Sequence, residues 1–170
     1  MQKKPMVLIA ATLLLAGTAS AAPITRILTF GDSNVDIGNA FTLNPATVPA
    51  PNFNGRYSNG PLTMEYVATD LGVPLTNYGV AGAWSGTDNN FRIVGTTPPD
   101  LANTGVLKQL DTWEASLAGG TADPNALFVY WAGSNDLFEW SGITLTLQER
   151  IDGVKANLTT AVQRLDAGGA

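Results

Sequence analysis

Ile27-Leu28-Thr29-Phe30-Gly31-Asp32-Ser33-Asn34-Val35-Asp36-Ile37-Gly38-Asn39 is the stretch on which the reading of this chain turns. An apolar, partly β-branched run stops at a glycine and delivers a serine into a polar turn. Open parallel sheets hold their ligands at the carboxyl ends of their strands, and a strand that ends in Gly-Asp-Ser places a hydroxyl there. Two readings fit these residues taken alone: a nucleophile turn, or an ordinary strand-to-helix turn in which the serine caps the helix.

Working outward, two more strands end the same way. The run Val73 to Tyr78 passes into Asn77-Tyr78-Gly79-Val80-Ala81-Gly82-Ala83. The run Ala126-Leu127-Phe128-Val129-Tyr130-Trp131-Ala132 is continuous enough for a strand buried on both faces, and it passes into Gly133-Ser134-Asn135-Asp136. Helical patterns alternate with these strands. Leu62, Tyr66, Val67 and Leu71 recur at helical spacing, with Pro61 placed for a first helical position and Gly72 and Pro74 as stops. Val106, Leu107, Leu110, Trp113 and Leu117 form a stripe closed by Gly119-Gly120. Thr146-Leu147-Gln148-Glu149 is a capping box, followed by an apolar row of Leu147, Ile151, Val154, Leu158, Val162 and Leu165. Strand and helix in alternation predict an α/β fold with a parallel sheet. The Asn-, Thr-, Pro- and Gly-rich stretch from Phe41 to Tyr57 predicts a long loop without regular structure, near the serine.

The first 21 residues read as a secretory signal peptide: Lys3 and Lys4, an apolar stretch from Met6 to Ala16, then an Ala-x-Ala site with cleavage after Ala21. That run is too short to span a bilayer, so the expected product, residues 22–170, is exported to the periplasm or the extracellular space. Cleavage removes two of the nine basic residues and none of the 14 acidic ones, leaving the mature part more acidic than the whole chain's −5. An acidic chain is a poor nucleic-acid binder. With neither cysteine nor histidine there is no disulfide framework and no usual zinc ligand, and no acidic loop has EF-hand spacing; no metal or cofactor is expected. Asn157-Leu158-Thr159 fits a glycosylation sequon but falls on a predicted helix, where it reads as chance.

In a parallel sheet the three turns share one edge. That edge offers the Ser33 hydroxyl together with three donors: the Ser33 N–H at a helix start, the Gly82 N–H and the Asn135 side-chain amide. Donors aimed in this way stabilise the oxyanion of acyl transfer, and asparagine suits the role because its amide donates where a carboxylate would repel the developing charge.

These residues resemble the GDSL or SGNH hydrolases, serine esterases and lipases of flavodoxin-like α/β fold. Phe30-Gly31-Asp32-Ser33 with Asp36, Gly38 and Asn39 looks like the family's first block, Asn77 to Ala83 its second and Gly133-x-Asn135-Asp136 its third; Gly55-Arg56-Tyr57-Ser58-Asn59-Gly60 is similar to a stretch of the plant-type branch. The resemblance implies Ser33 as nucleophile, Gly82 and Asn135 as oxyanion donors, and Asp32, Asp36, Gly38 and Asn39 as supporting residues. It implies a lipid or other small-molecule carboxylic ester as substrate. Asn34 stands where the family has its eponymous leucine. The family's general base is a histidine in a late Asp-x-x-His block, and this chain has no histidine. Asp32 is better read as a turn residue than as a replacement base. The expectation is therefore an N-terminal portion that stops before two further strands, inactive alone, with the third strand left as an unpaired edge. The competing expectation is a non-catalytic secreted binding module on the same scaffold.

Overall fold

A computed structural model describes residues 22–93, 101–138 and 144–170; the signal-peptide reading of residues 1–21 lies outside the described residues. Among the described residues three parallel strands form one sheet in the order β2-β1-β3: β1 is Arg26–Gly31, β2 Leu75–Asn77 and β3 Ala126–Trp131. Ile27 lies opposite Leu75 and Gly31 opposite Trp131, so the carboxyl end of β1 ends level with that of β3. Among the described residues the α-helices are α1 (Asn39–Leu43), α2 (Thr63–Leu71), α3 (Asn90–Ile93), α4 (Val106–Ser116), α5 (Ser134–Leu137) and α6 (Leu147–Ala167).

The core follows from the period-two alternation of β1. Leu28 and Phe30 face a cluster built from Val106, Leu110 and Trp113 of α4 and Ala161 of α6. Phe30 stacks on Tyr78 with ring centroids 5.0 Å apart and meets Trp113 edge-on at 6.0 Å, while Trp113 meets Phe128 edge-on at 5.6 Å. Aromatic pairs in these geometries add to the burial they contribute. A second cluster of Ala40, Val48, Val80, Ala81 and Leu101 lies under the loops. The N-terminal end of α6 forms as the sequence dictates: Glu149 accepts the Thr146 N–H at 2.8 Å and the Thr146 hydroxyl accepts the Glu149 N–H at 3.3 Å.

Four local expectations change. The third strand is not buried on both faces. Residues Ala126 to Tyr130 are half-buried and Trp131 is half exposed, because among the described residues β3 pairs on one side only. Helix α6 packs by only part of its apolar row; Leu147, Leu158 and Val162 are exposed, Ile151, Val154 and Leu165 half-buried, and the buried residues of the helix are Arg150 and Ala161. Polar anchors at seven-residue spacing rotate it: Arg150 donates to the Leu137 and Phe138 carbonyls, Asn157 to Ser85, and Arg164 to Glu114, Asp111 and the Leu107 carbonyl. The stretch 41–57 carries the end of α1 and a 3₁₀ turn at Pro45–Thr47, capped by the Asn44 side chain accepting from the Ala46 N–H. Pro61 precedes α2, which begins at Thr63, rather than opening it.

Candidate functional site

The carboxyl end of β1 is held from three directions. Its last residue, Gly31, donates its N–H to Gln109 Oε1 at 2.8 Å, and its carbonyl accepts from Gln109 Nε2 at 2.9 Å and from the Val80 N–H at 3.0 Å. Gln109, fixed on α4, thus extends the ladder where the strand has run out. A Cβ on Gly31 would stand 2.0 Å from the Trp131 carbonyl oxygen, so only glycine lets β1 and β3 close at this point.

Beyond Gly31 the chain does not enter a helix, as the sequence had suggested for Ser33. The Val35 and Asp36 N–H groups return to the Asp32 carbonyl at 3.1 Å each, one turn forms, and the pattern stops. Two aspartates take the backbone donors that a helix would have used. Asp32 Oδ1 accepts from the Asn34 N–H at 3.0 Å and from its side chain at 2.8 Å. Asp36 accepts four N–H groups: Gly38 at 2.8 Å and Asn39 at 2.5 Å on Oδ1, Ala40 at 3.0 Å and Ala81 at 2.7 Å on Oδ2.

The same side chains bind the three turns into one unit. Asp36 reaches the second turn through Ala81. Asn39 donates to the Asn77 side chain at 2.9 Å and the Gly79 carbonyl at 2.8 Å, and Asn77 donates to the Val35 carbonyl. Asp32 Oδ2 accepts from the Ser134 hydroxyl of the third turn at 3.0 Å. The second and third turns meet where Asn135 donates to the Ala83 carbonyl at 3.0 Å and where buried Asp136 accepts the Ser85 N–H at 2.9 Å and its hydroxyl at 2.6 Å. Burial pushes the Asp136 carboxyl above the usual range, with the Ser85 bonds acting against it and the Asp32 charge adding to it. Ser33, Gly82 and Asn135 are therefore brought to one edge of the sheet.

Against these bonds, three groups of the candidate site have no protein partner. Among the described residues neither the Ser33 N–H nor the Gly82 N–H donates to protein, and the Ser33 hydroxyl, partly exposed, has no protein partner. A backbone donor left unpaired by protein is open to an acceptor from outside it. Gly82 adopts φ 80°, and a Cβ there would lie 2.6 Å from Asn89 Oδ1. Asp32 accepts three hydrogen bonds and Asp36 four.

Sequence reasoning missed Gln109, Ser85, Trp84, Asn90 and Asn157 as members of this framework. Only Asn157 carried a signal, the sequon; its side chain is spent on Ser85 Oγ at 3.0 Å. Among the described residues no group of three or more Asp, Glu, His or Cys is placed to hold a metal, and no helix is long and apolar enough to cross a membrane. A cleft of about 370 Å³ lies between α1, the end of β2 and the start of α4, with Asn39, Asn77, Tyr78, Lys108 and Gln109 in its wall and none of the three candidate residues.

A parallel α/β sheet with a serine turn, a glycine turn and an asparagine turn at one edge has the architecture of the SGNH hydrolase fold. The chain belongs to the GDSL-like lipase/acylhydrolase family, which it matches over residues 27–170. It is 32% identical over 151 residues to the thermolabile hemolysin of Vibrio parahaemolyticus, a match covering 86% of this chain and 32% of that protein. A GDSL esterase/lipase of Arabidopsis thaliana is 27% identical over 217 residues, covering 99% and 58%. The phosphatidylcholine-sterol acyltransferase of Aeromonas hydrophila is 26% identical over 166 residues, covering 92% and 46%. The chain thus spans between about a third and three fifths of the length of these relatives.

Proposed function

We propose that this chain supplies the nucleophile and oxyanion site of a secreted serine ester hydrolase. Ser33 Oγ attacks the ester carbonyl carbon and gives up its proton to a base. The tetrahedral intermediate expels the alcohol, which leaves with a proton, and water then cleaves the Ser33 acyl-enzyme to release the acid. The Ser33 N–H, the Gly82 N–H and the Asn135 amide receive the oxyanion, and donors of this kind are each worth about 3 kcal/mol of barrier. The observation that supports the reading is that, among the described residues, the Ser33 N–H, the Gly82 N–H and the Ser33 hydroxyl have no protein partner, while Asp32, Asp36 and Asp136 of the same turns all accept hydrogen bonds.

These 170 residues hold no histidine, the base this chemistry ordinarily uses. The same absence favours a second reading, a non-catalytic secreted binding module on this scaffold. An Asp-x-x-His stretch encoded after Ala170 separates the two. Lipid, aryl and sugar esters all fit the chemistry, and relatives named as an acyltransferase and as esterase/lipases support acyl transfer in general. Hydrolysis of p-nitrophenyl acetate by the protein as its gene encodes it is expected to fall by about a thousandfold or more in Ser33→Ala. Residues 1–170 alone are expected to show no serine-dependent rate. Unchanged turnover in Ser33→Ala of the encoded protein defeats the assignment.

A further inference from the structure

The orientation of the Asn135 amide is decided outside the three turns. Asparagine carries an acceptor at one end and a donor at the other, and either end fits many sites. Here the choice is forced by a chain of hydrogen bonds whose termini each have one sign. It begins at the Trp84 indole, which can only donate: Nε1–H donates to Asn90 Oδ1 at 3.0 Å. Asn90 must then present its amino end to the other side, and Nδ2 donates to Asn135 Oδ1 at 2.9 Å. Asn135 in turn presents its amino end to the Ala83 carbonyl, which can only accept, at 3.0 Å. Flipping either amide sets donor against donor or acceptor against acceptor at both of its ends. Asn90 also takes the Gly82 carbonyl through its own N–H at 2.9 Å, so one buried residue grips both the glycine and the asparagine of the proposed oxyanion site.

We infer that Trp84 and Asn90 are positioning residues that fix the Asn135 amide with its donor end on the Gly82–Ala83 side, ready for a developing oxyanion. This rests on the reading of Ser33 and Asn135 given above. Neither residue touches the reacting atoms; each acts through Asn135.

Asn90→Asp tests it with almost no change of shape. The new carboxylate still accepts from Trp84, but it turns a second acceptor toward Asn135 Oδ1 and drives that amide to flip. Protonation supplies the missing donor, so the defect is repaired as pH falls. In the protein as encoded, with p-nitrophenyl acetate as probe, Asn90→Asp is expected to lower kcat about 10- to 100-fold with KM changed less than about threefold. The ratio of mutant to wild-type rate is expected to rise as pH is lowered, a signature that general loss of folding does not give. Trp84→Phe is expected to lower kcat more mildly, about three- to tenfold. A wild-type kcat in Asn90→Asp, or a loss with no pH-dependent recovery, overturns the inference. Ser33→Ala run alongside reports separately on the nucleophile. Hydrogen exchange of the Asn135 side-chain amide by nuclear magnetic resonance needs no turnover: faster exchange in Asn90→Asp than in wild type is expected, and equal rates overturn the orientation whatever Ser33 does.

Discussion

Replacing Asp36 by asparagine removes one charge and one acceptor from a side chain that is 1% exposed, and the structure allows the loss to be worked out. Both carboxylate oxygens accept two N–H groups each, Gly38 and Asn39 on one, Ala40 and Ala81 on the other. An asparagine side chain has a single oxygen. Whichever way it turns, two backbone N–H groups face its amino group and lose their acceptor, either the buried pair of Ala40 and Ala81 or the half-buried pair of Gly38 and Asn39. Stranded buried donors cost about 1–3 kcal/mol each, so the substitution is expected to destabilise by about 2–6 kcal/mol. Against a total stability of roughly 5–15 kcal/mol this is severe. Urea denaturation of the encoded protein followed by circular dichroism measures it, with Asp70→Asn on the exposed side of α2 as a control expected to stay within about 0.5 kcal/mol. Because the Ala81 bond joins the first turn to the second, ester turnover should fall further than the unfolded fraction explains. A destabilisation below about 1 kcal/mol would refute the argument that Asp36 holds these turns together.

Gly31→Ala places a methyl group 2.0 Å from the Trp131 carbonyl and is expected to cost roughly 3 kcal/mol or more, read as a loss of soluble folded protein or a lowered melting temperature. Gln109→Leu keeps the volume but strips Gly31 of two hydrogen bonds; a loss of about 2–4 kcal/mol is expected in the same melting assay. The Arg56 guanidinium, bonded to both Glu65 oxygens at 2.8 and 2.6 Å, holds that carboxyl below its usual range against the opposing effect of burial. A depressed folded-state value means that the stabilisation is complete above the unfolded pKa and is lost as pH falls through the folded one. Glu65→Gln should therefore be about 1–2 kcal/mol less stable than wild type at neutral pH, with the gap closing well below about pH 4.

Much of this was legible along the chain because it is local. The β1 run, the small-residue turns, the α4 stripe and the Thr146–Glu149 box are each written within a few neighbouring residues, and period and capping chemistry suffice to read them. The candidate site was half legible. Ser33, Gly82 and Asn135 lie in turns whose residue types advertise them, and parallel pairing brings such turns together. The framework that aligns them was not legible, because its bonds cross long separations: Gln109 lies 78 residues from Gly31, and Asn135 lies 45 from Asn90. Nothing in a glutamine on a helix declares that it will complete a strand. The failures were also physical. The helix expected after Ser33 lost its donors to Asp32 and Asp36, and the apolar row of α6 was outweighed by Arg150, Asn157 and Arg164, whose polar partners lie on a different side of that helix.

The central claim, that Ser33 is an acyl-accepting nucleophile in an oxyanion site, is met most directly by covalent trapping. The encoded protein is treated with a fluorophosphonate, whose phosphorus takes the place of the ester carbonyl carbon, and its peptides are analysed by mass spectrometry. The account predicts a single adduct on Ser33, abolished in Ser33→Ala while Ser58, Ser85 and Ser134 stay unlabelled. An adduct on another serine, or none on Ser33, contradicts it.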